Sequence, residues 1–312
     1  MNIAITGASG MLGTALIDKL SNFFLIFASA REQGLVKNNV SWECFDLTNL
    51  TKLENWLVKI QPDVVIHCAA MVNVDECEFN EDLAYQLHVK TTEVIVDFLT
   101  INNGQLIYIS TDSVFDGLSN KPYSEEDQTN PLNVYSKTKL LGEYPALSLK
   151  KGVVLRTNII GWSMKEKISF SEWILFNLIQ KKRIKLFNDV YISPVHVSEL
   201  SEVIIQVVEK QAVGLYNVSS QNALSKYDFG LLMAETFESS SKYFDEISIE
   251  ELGLKAKRPK NIALSNKKIT QLLGYDLPHV IDAIFMMKLE SKNGYLAKIK
   301  NREIKNKYEF WK

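Results

Sequence analysis

The chain has 312 residues, which at ~150 residues per domain is enough for one large α/β domain or two smaller ones, with a sizeable buried core. Hydrophobic residues make up 46% and charged residues 23%, and this ordinary balance argues against a disordered chain. The net charge of −2 gives no basic footprint, so we expect no nucleic-acid partner.

The start of the chain, MNIAITGASG, has no basic region of the kind that opens a signal peptide. No stretch reaches the ~18 apolar residues that a membrane span needs, so we expect a cytoplasmic protein. The three cysteines, Cys44, Cys68 and Cys77, have neither a disulfide framework nor the spacing of metal ligands. They are expected to be reduced, and no metal is expected.

Short apolar runs alternate with longer amphipathic segments through the first half of the chain. The runs predict strands at Asn2–Thr6, Phe24–Ala28, Ser41–Phe45, Asp63–His67, Gln105–Ser110 and Gly152–Arg156. The amphipathic segments predict helices at Met11–Leu20, Asn49–Ile60, Glu81–Asn102 and Val134–Leu147. Strands that alternate with helices imply a doubly wound parallel α/β sheet of the Rossmann type, with ligands at the carboxyl ends of the strands.

After about residue 157 the alternation loosens. Helices are predicted at Phe170–Lys181, His196–Glu209, Lys226–Phe237 and Ser265–Leu273, with strands at Ile184–Phe187 and Leu215–Ser219. We therefore predict a dinucleotide-binding domain over residues 1–157, to which 189–218 returns. Segments 158–188 and 219–312 are predicted to form a smaller mixed substrate-binding cap and a tail.

The tail over residues 288–312 carries eight Lys or Arg residues against three acids. A basic tail can dock on anionic lipid or nucleic acid. Basic runs at a chain end are more commonly just solvated, and we favour that interpretation.

A glycine-rich loop follows the first predicted strand and runs directly into a helix. Gly7, Gly10 and Gly13 have the spacing G-x-x-G-x-x-G. Glycine lets the backbone turn sharply and approach a pyrophosphate, and the amides of the helix N-terminus add hydrogen-bond donors and partial positive charge. Because the loop lies between a strand and a helix, it predicts a dinucleotide site that also includes Ser9, Met11 and Leu12.

The end of the second strand indicates which dinucleotide is bound. An acid there binds the ribose 2′-hydroxyl of NAD, whereas an arginine accommodates the 2′-phosphate of NADP. The strand ends without an acid, and Ser29 and Arg31 suit a phosphate, although Glu32 follows at once. We predict NADP and keep NAD as the alternative. Asp46 and Leu47, after the third strand, are candidates for contact with the adenine.

Tyr135 and Lys139 are four residues apart on a predicted helix, so they project from one face. A phenol is a weak acid–base group at neutral pH, and a nearby ammonium is expected to lower its pKa. The spacing itself is common, but this helix follows a strand that ends at Ser110 and Thr111. The hydroxyl of Thr111 could join Tyr135 on a substrate carbonyl, or it could cap the turn.

These motifs occur together in a known order. GASGMLG, HCAAMVNVDECE (67–78), YISTDSVFDG (108–117), the 135/139 pair, LRTN (155–158) and RPKN (258–261) follow one another as in extended short-chain dehydrogenases/reductases. Within that group the chain resembles the dTDP-4-dehydrorhamnose reductase family over roughly residues 1–275.

The resemblance implies roles for particular residues. It implies a catalytic trio of Thr111, Tyr135 and Lys139, with Tyr135 and Lys139 also touching the cofactor. It implies that Ala69, Ala70 and Met71 line the cofactor. The substrate, a nucleotide-linked sugar, would be bound by Asp112, Ser113, Phe115, Asn158, Arg258 and Asn261.

The sequence departs from the family at two of these positions. The family usually has tyrosine where this chain has Ser113 and Met71. The acids that hold a metal between subunits in some relatives have no counterpart that we can place here, so no metal is carried over. A homodimer is left open.

Three functions compete. The first is reduction of a 4-keto nucleotide sugar with NADPH, with the proton from Tyr135. The second is an epimerase with tightly held NAD. A dehydratase is disfavoured because Ser113 follows Asp112 where that class has glutamate. The third is a regulatory subunit that binds the cofactor without catalysis, as some relatives of this group do.

Overall fold

The computed structural model describes residues 1–164, 168–253 and 256–296. Seven strands form one central sheet: Asn2–Thr6 (β1), Leu25–Ala30 (β2), Val40–Cys44 (β3), Val64–His67 (β4), Gln105–Thr111 (β5), Gly152–Thr157 (β6) and Gly214–Val218 (β11). Every pairing in it is parallel. The predicted doubly wound α/β sheet is confirmed.

The strand order is β11-β6-β5-β4-β1-β2-β3. The chain builds outward from β1 in one direction through β3 and then crosses to the other side of β1 with β4. The order therefore reverses between β1 and β4, and in sheets of this kind the ligand crevice lies at that point, beyond the carboxyl ends of the strands.

Helices cover both faces of the sheet. On one face Met11–Leu20 (α1) packs against Val197–Glu209 (α8) over a core that includes Leu16 and Val203. On the other face lie Leu50–Ile60 (α2), Thr91–Asn102 (α5) and Val134–Ser148 (α6). Burial on both faces explains why the strands read as continuous apolar runs.

The helix predicted over 81–102 is confirmed in its bounds, but it is not a regular α-helix throughout. It begins as Glu81–Tyr85 (α4), passes through one turn of π-helix at Gln86–Lys90, and continues as α5. A short helix, Val74–Phe79 (α3), precedes it and was not predicted. A π turn inserts one residue into the helical repeat, and apolar periodicity does not show where that insertion falls.

The cap has its own core, which includes Trp162, Leu175, Phe229 and Met287. Its helices are Phe170–Ile179 (α7), Lys226–Thr236 (α9) and Val280–Lys292 (α11), whereas Lys267–Leu273 (α10) packs against β11 and the core of the central sheet. Its short strands pair two by two: Ile159–Ile160 (β7) with Val195–His196 (β10), Tyr191–Ile192 (β9) with Leu224–Ser225 (β12), and Ile184–Phe187 (β8) with Phe244–Ile247 (β13).

The helix α11, the strand β13 and the two-residue strands β7, β9, β10 and β12 were not predicted, because such elements become recognisable only when they pack on the rest of the cap. Most of the basic tail, from residue 297 onward, lies outside the described residues. Among those described, no helix combines the length and the apolar character needed to cross a membrane.

Candidate active site

The glycine loop connects β1 to α1. Gly7 has a φ of +64°, and a Cβ there would lie 2.7 Å from the backbone of Ala69. Gly13 sits so close to Ala8 that a Cβ would lie 2.6 Å from its Cα. Glycine is therefore required at both positions, once for the turn against β4 and once for close packing of the helix.

The N-terminus of α1 is open for an anion. Gly10 is its N-cap residue and offers no side-chain cap, and no acid lies in the first turn. The first amides of a helix have no partner within it, so those of Met11, Leu12 and Gly13 remain available as donors. Ser9 is buried beneath the loop.

The end of β2 brings two of the predicted cofactor residues to different places. Ser29 is fully buried and its carbonyl accepts the amide of Ala8, so it supports the loop from below. Arg31 is exposed and forms no ion pair with a described residue. Arg31 lies near Asp46, whose pKa is lowered first by hydrogen bonds from Thr48 and further by the Arg31 charge.

Asp46 is exposed, whereas the neighbouring Leu47 is buried. Asp46 Oδ1 accepts hydrogen bonds from the amide and hydroxyl of Thr48 at 2.9 and 2.8 Å. Arg31 and Asp46 thus face solvent together beyond β2 and β3, at the end of the crevice where an adenosine would lie.

The segment after β4 carries Ala69, Ala70 and Met71 beside the glycine loop. The backbone of Met71 is fixed from two sides, because its amide donates to His88 Nε2 at 2.9 Å and its carbonyl accepts from Cys77 Sγ at 3.3 Å. Burial raises the pKa of the Cys68 thiol to about 12, so this neighbour is not a nucleophile.

Thr111 and Tyr135 meet at the carboxyl edge of the sheet. Thr111 ends β5, Tyr135 is the second residue of α6, and the Thr111 hydroxyl lies close enough to the phenol to act on its pKa. The α6 N-terminus is held by Asn133, whose Oδ1 accepts the amide of Ser136 at 2.9 Å. The amide of Val134 donates to Glu78 Oε1 at 2.8 Å.

The pKa of Tyr135 is raised above its ordinary value, chiefly by burial, while the hydrogen bond with Thr111 opposes the rise. This differs from the sequence expectation that a neighbouring ammonium lowers it. Burial disfavours the charged phenolate more than the surrounding groups favour it. The phenol is therefore protonated at neutral pH, as a proton donor must be.

Lys139 is 2% exposed, and its Nζ lies 4.0 Å from the ring centroid of Tyr108. Burial lowers the pKa of Lys139 to about 7, against an opposing effect from Glu143. An ammonium with this pKa can give up or take back a proton near neutrality, which suits it to a proton relay.

Glu143 is itself fixed by a buried network that the sequence analysis missed. Arg156 donates to it from Nε at 3.0 Å and from Nη2 at 2.7 Å, and the hydroxyl of Ser110 donates at 2.5 Å. The Glu143–Arg156 ion pair is almost fully buried. The three residues of the network come from β5, β6 and α6, and the two most distant in sequence, Ser110 and Arg156, are 46 residues apart. The network holds a negative charge one helical turn beyond Lys139.

Asp112 is buried immediately after Thr111. Its carboxylate accepts hydrogen bonds from the Thr111 and Ser113 hydroxyls, both at 3.1 Å, and from Asn158 Nδ2 at 2.7 Å. Burial raises the pKa of Asp112, while these donors and the charge of Lys226 oppose the rise. Thr111, Asp112, Ser113 and Asn158 thus form one cluster beside Tyr135.

The three other predicted substrate residues are engaged elsewhere. Arg258 pairs with Asp75 at 2.7 Å. Asn261 donates to the Ser119 carbonyl at 2.8 Å and accepts from the Ala263 amide at 3.1 Å. Phe115 is fully buried and stacks on Tyr123 at 4.2 Å. Arg258 and Asn261 thus tie their own segment to those that follow β4 and β5, and Phe115 reaches no open surface.

Lys226, at the start of α9, was missed by the sequence analysis. Its Nζ lies 5.1 Å from the ring centroid of Phe170 and 5.7 Å from that of Phe187, and this ammonium forms no hydrogen bond or ion pair with a described residue. Burial lowers the pKa of Lys226 to about 8, although the charge of Asp112 opposes this. No sequence pattern distinguishes it from the other lysines.

No group of three or more His, Cys, Asp or Glu within the described ranges could hold a metal ion. The site consists instead of an open helix N-terminus behind a glycine loop, facing a hydroxyl pair and a buried lysine across the point where the strand order reverses. These features define a Rossmann-fold oxidoreductase of the short-chain dehydrogenase/reductase class.

Comparison with known proteins gives the family. Residues 1–289 match the model of the RmlD substrate binding domain, and the chain belongs to that family. It is 30% identical over 277 residues to methionine adenosyltransferase 2 subunit beta of Xenopus laevis, a match that covers 86% of this chain and 81% of the relative.

Reductases match as well. The chain is 28% identical over 285 residues to dTDP-4-dehydrorhamnose reductase of Aggregatibacter actinomycetemcomitans, covering 87% of this chain and 93% of that protein. The crystal structure of dTDP-4-dehydrorhamnose reductase from Bacillus anthracis in complex with NADP aligns with a TM-score of 0.82 and 25% identity, over 93% of this chain and 99% of that one.

Proposed function

We propose that this protein is an NADPH-dependent reductase of a nucleotide-linked 4-keto sugar, with Tyr135 as the proton donor. The observation that carries the proposal is the approach of the Thr111 hydroxyl to the Tyr135 phenol at the carboxyl edge of the sheet, beside the buried Lys139. The phenol of Tyr135 can donate to a carbonyl oxygen there, and the Thr111 hydroxyl can join it by turning from Asp112, which polarises the carbonyl and orients it.

The residues of the crevice fit a dinucleotide. A Cβ at Gly7 would clash with the backbone of Ala69, and the open α1 N-terminus offers amides to a pyrophosphate. Arg31 is free to pair with a 2′-phosphate, which favours NADP over NAD. The bound cofactor supplies a hydride to the ketone carbon.

The proton that completes the reduction comes from the protein's own side chains. As the carbonyl oxygen gains negative charge, Tyr135 donates its phenolic proton to it, and the C=O becomes an alcohol. Thr111 keeps the oxygen in place. Lys139, with a pKa lowered to about 7, can then return a proton to the tyrosine.

The substrate lies between this edge and the cap. We assign Asp112, Ser113 and Asn158 to the sugar, since their cluster adjoins Tyr135. The Lys226 ammonium approaches from the cap, near the charge of Asp112 but in no ion pair with a described residue, and it suits an anionic part of the substrate such as a diphosphate. Arg258 and Asn261 have a supporting role, since they hold Asp75 and the Ser119 backbone in place.

The direct test follows NADPH oxidation against a panel of 4-keto nucleotide sugars. We expect steady consumption of NADPH with one member of the panel, and stoichiometric formation of the corresponding alcohol. Turnover that leaves the cofactor unchanged would identify an epimerase instead.

A second candidate is a regulatory subunit that binds the cofactor without turnover. The 30% identity to a methionine adenosyltransferase subunit favours it. The complete Thr111, Tyr135 and Lys139 trio favours the enzyme. Binding of NADPH by calorimetry, without consumption against the whole panel, would decide for the regulatory subunit.

A further inference from the structure

His88 is a fully buried histidine in the middle of the π turn between α4 and α5. It is not part of the catalytic trio. It lies between two parts of the site that come from distant segments, the cofactor-lining backbone after β4 and the first turns of α6. Turns of π-helix often mark functional positions, because the inserted residue redirects the side chains around it.

One ring nitrogen faces the cofactor side. The amide of Met71 donates to His88 Nε2 at 2.9 Å. An amide can only donate, so Nε2 is the acceptor and carries no proton. The proton of the neutral ring is therefore on Nδ1.

The other ring nitrogen faces α6. His88 Nδ1 lies 2.8 Å from Thr138 Oγ1 and donates to it, while the Thr138 hydroxyl donates to the carbonyl of Val134 at 2.8 Å. Thr138 Oγ1 also lies 3.1 Å from the carbonyl of Tyr135. The chain of donors thus ends on the turn of helix that carries Tyr135.

The ring itself also contacts the tyrosine. The imidazole of His88 meets the Tyr135 ring edge to face, with centroids 5.9 Å apart and planes at 83°. Packing of this kind restricts the rotation of an aromatic side chain. His88 therefore contacts the ring of Tyr135 directly and reaches its backbone carbonyl through the Thr138 hydroxyl.

We propose that His88 is a positioning residue with two separable roles: Nε2 fixes the Met71 backbone against the cofactor, and Nδ1–H with the ring face fixes Tyr135 for proton donation. The inference rests on the proposed reductase function for its second role only. His88 does not itself carry a proton in the reaction.

The proposed hydrogen-bond pattern requires a neutral His88 ring, and the surroundings of the ring favour that state. Burial lowers the pKa of His88 to about 2, and the charges of Lys139 and His67 lower it further. The hydrogen-bond pattern is then the same at every pH at which the protein works, so the two roles do not depend on pH.

Two amide variants separate the roles. The amide nitrogen of asparagine can occupy the place of Nδ1, and the amide oxygen of glutamine can occupy the place of Nε2. For His88→Gln we expect NADPH Kd within about 2-fold of wild type and kcat about 10-fold lower, the effect of one lost hydrogen bond. For His88→Asn, which keeps a donor at Nδ1 but loses Nε2 and the ring contact with Tyr135, we expect NADPH Kd about 10-fold higher and a kcat loss clearly smaller than that of His88→Gln.

Thr138→Val should reproduce the kcat loss of His88→Gln without changing NADPH Kd. His196→Gln is the control, since His196 is equally buried and bonds Ser198 away from the trio. It should lower Tm and leave both constants unchanged. Equal changes of Kd and kcat in the two His88 variants, or no change in either, would overturn the proposal.

Calorimetry and NMR keep this test independent of the reductase proposal. NADPH Kd needs no sugar substrate, so the Nε2 role is measured even if no sugar is reduced. The imidazole ¹⁵N shifts of wild-type protein should show a proton on Nδ1 and no titration between about pH 5 and 9. A proton on Nε2 in the wild-type protein would refute the assignment, whether or not the variants fold.

Discussion

The carboxyl edge of the sheet and the cap use polar residues in different ways. At the sheet edge, Thr111, Tyr135 and Lys139 converge, and none of the three forms an ion pair with a described residue. In the cap, Arg258 is tied to Asp75, and both ends of the Asn261 amide are bonded to backbone.

This difference distinguishes residues that act in catalysis or binding from residues that hold the segments of the fold together. A polar group whose bonds are all satisfied within the protein contributes mainly to holding the parts together. Lys226 is the exception in the cap, since its ammonium lies between two rings with no bonded partner among the described residues. We therefore expect changes at the sheet edge to affect kcat and a change at Lys226 to affect substrate binding.

The largest effect is expected from Tyr135→Phe. Removal of a general acid typically costs ~10²–10⁴ in rate, so kcat for NADPH oxidation should fall by that order while NADPH Kd changes little. Tyr144→Phe is a matched control, because Tyr144 is exposed on the same helix. Near-native turnover by Tyr135→Phe would show that Tyr135 is not the proton donor.

Gly7→Ala should destabilise the loop and weaken cofactor binding. The left-handed φ and the clash with the Ala69 backbone together cost about 2–5 kcal/mol. Gly274→Ala pays only the strain, about 1–2 kcal/mol, because its φ is +83° but nothing lies within 4 Å of the added Cβ. Denaturant unfolding and calorimetry with NADPH check both. If the two variants behave alike, the close approach to β4 does not matter.

Arg31→Ala tests cofactor choice at the far end of the crevice. A charge-assisted hydrogen bond is worth about 1.5–3 kcal/mol, so NADPH should bind at least ~10-fold more weakly while NADH is hardly affected. The ratio of the two dissociation constants is the measurement. Equal losses for the two cofactors would contradict a 2′-phosphate contact.

The smallest effect is expected in the cap. Lys226→Met should raise the substrate KM about 10-fold, as loss of one charged contact implies, with kcat and NADPH Kd nearly unchanged. Lys185→Met, on an exposed position of β8, is the control and should change none of the three. A fall in kcat with unchanged KM would show that Lys226 acts in the catalytic step, and the two regions would then not differ in the way proposed.

The pH dependence should follow Lys139 in the wild-type enzyme. Its pKa is lowered to about 7, so the lysine is protonated below that pH and neutral above it. If the protonated form restores Tyr135, kcat should fall about tenfold per pH unit on the alkaline side. Glu143→Gln removes the negative charge that raises the pKa of Lys139, so the alkaline fall in kcat should move to lower pH.

Much of the sheet could be predicted from local pattern. The strands of the sheet fall within two residues of their predicted bounds, because burial on both faces gives the central ones, β1, β4, β5 and β6, nearly continuous apolar runs. The glycine loop was recognisable because a strand, three glycines and a helix follow one another directly. The π turn and His88 were not, since a one-residue insertion leaves no mark in the composition of a helix.

By itself the sequence determined the doubly wound sheet, the glycine loop and the order Thr111, Tyr135, Lys139, because each depends on residues close together in the chain or on the ends of successive strands. Only the tertiary structure decided which polar residues are free and which are engaged. It joined Arg258 to Asp75, closed Glu143 onto Arg156, and placed His88 between Met71 and Thr138. Those contacts span from 13 to 183 residues, and burial, which sets the pKa values of Tyr135 and Lys139, exists only once the segments are packed together.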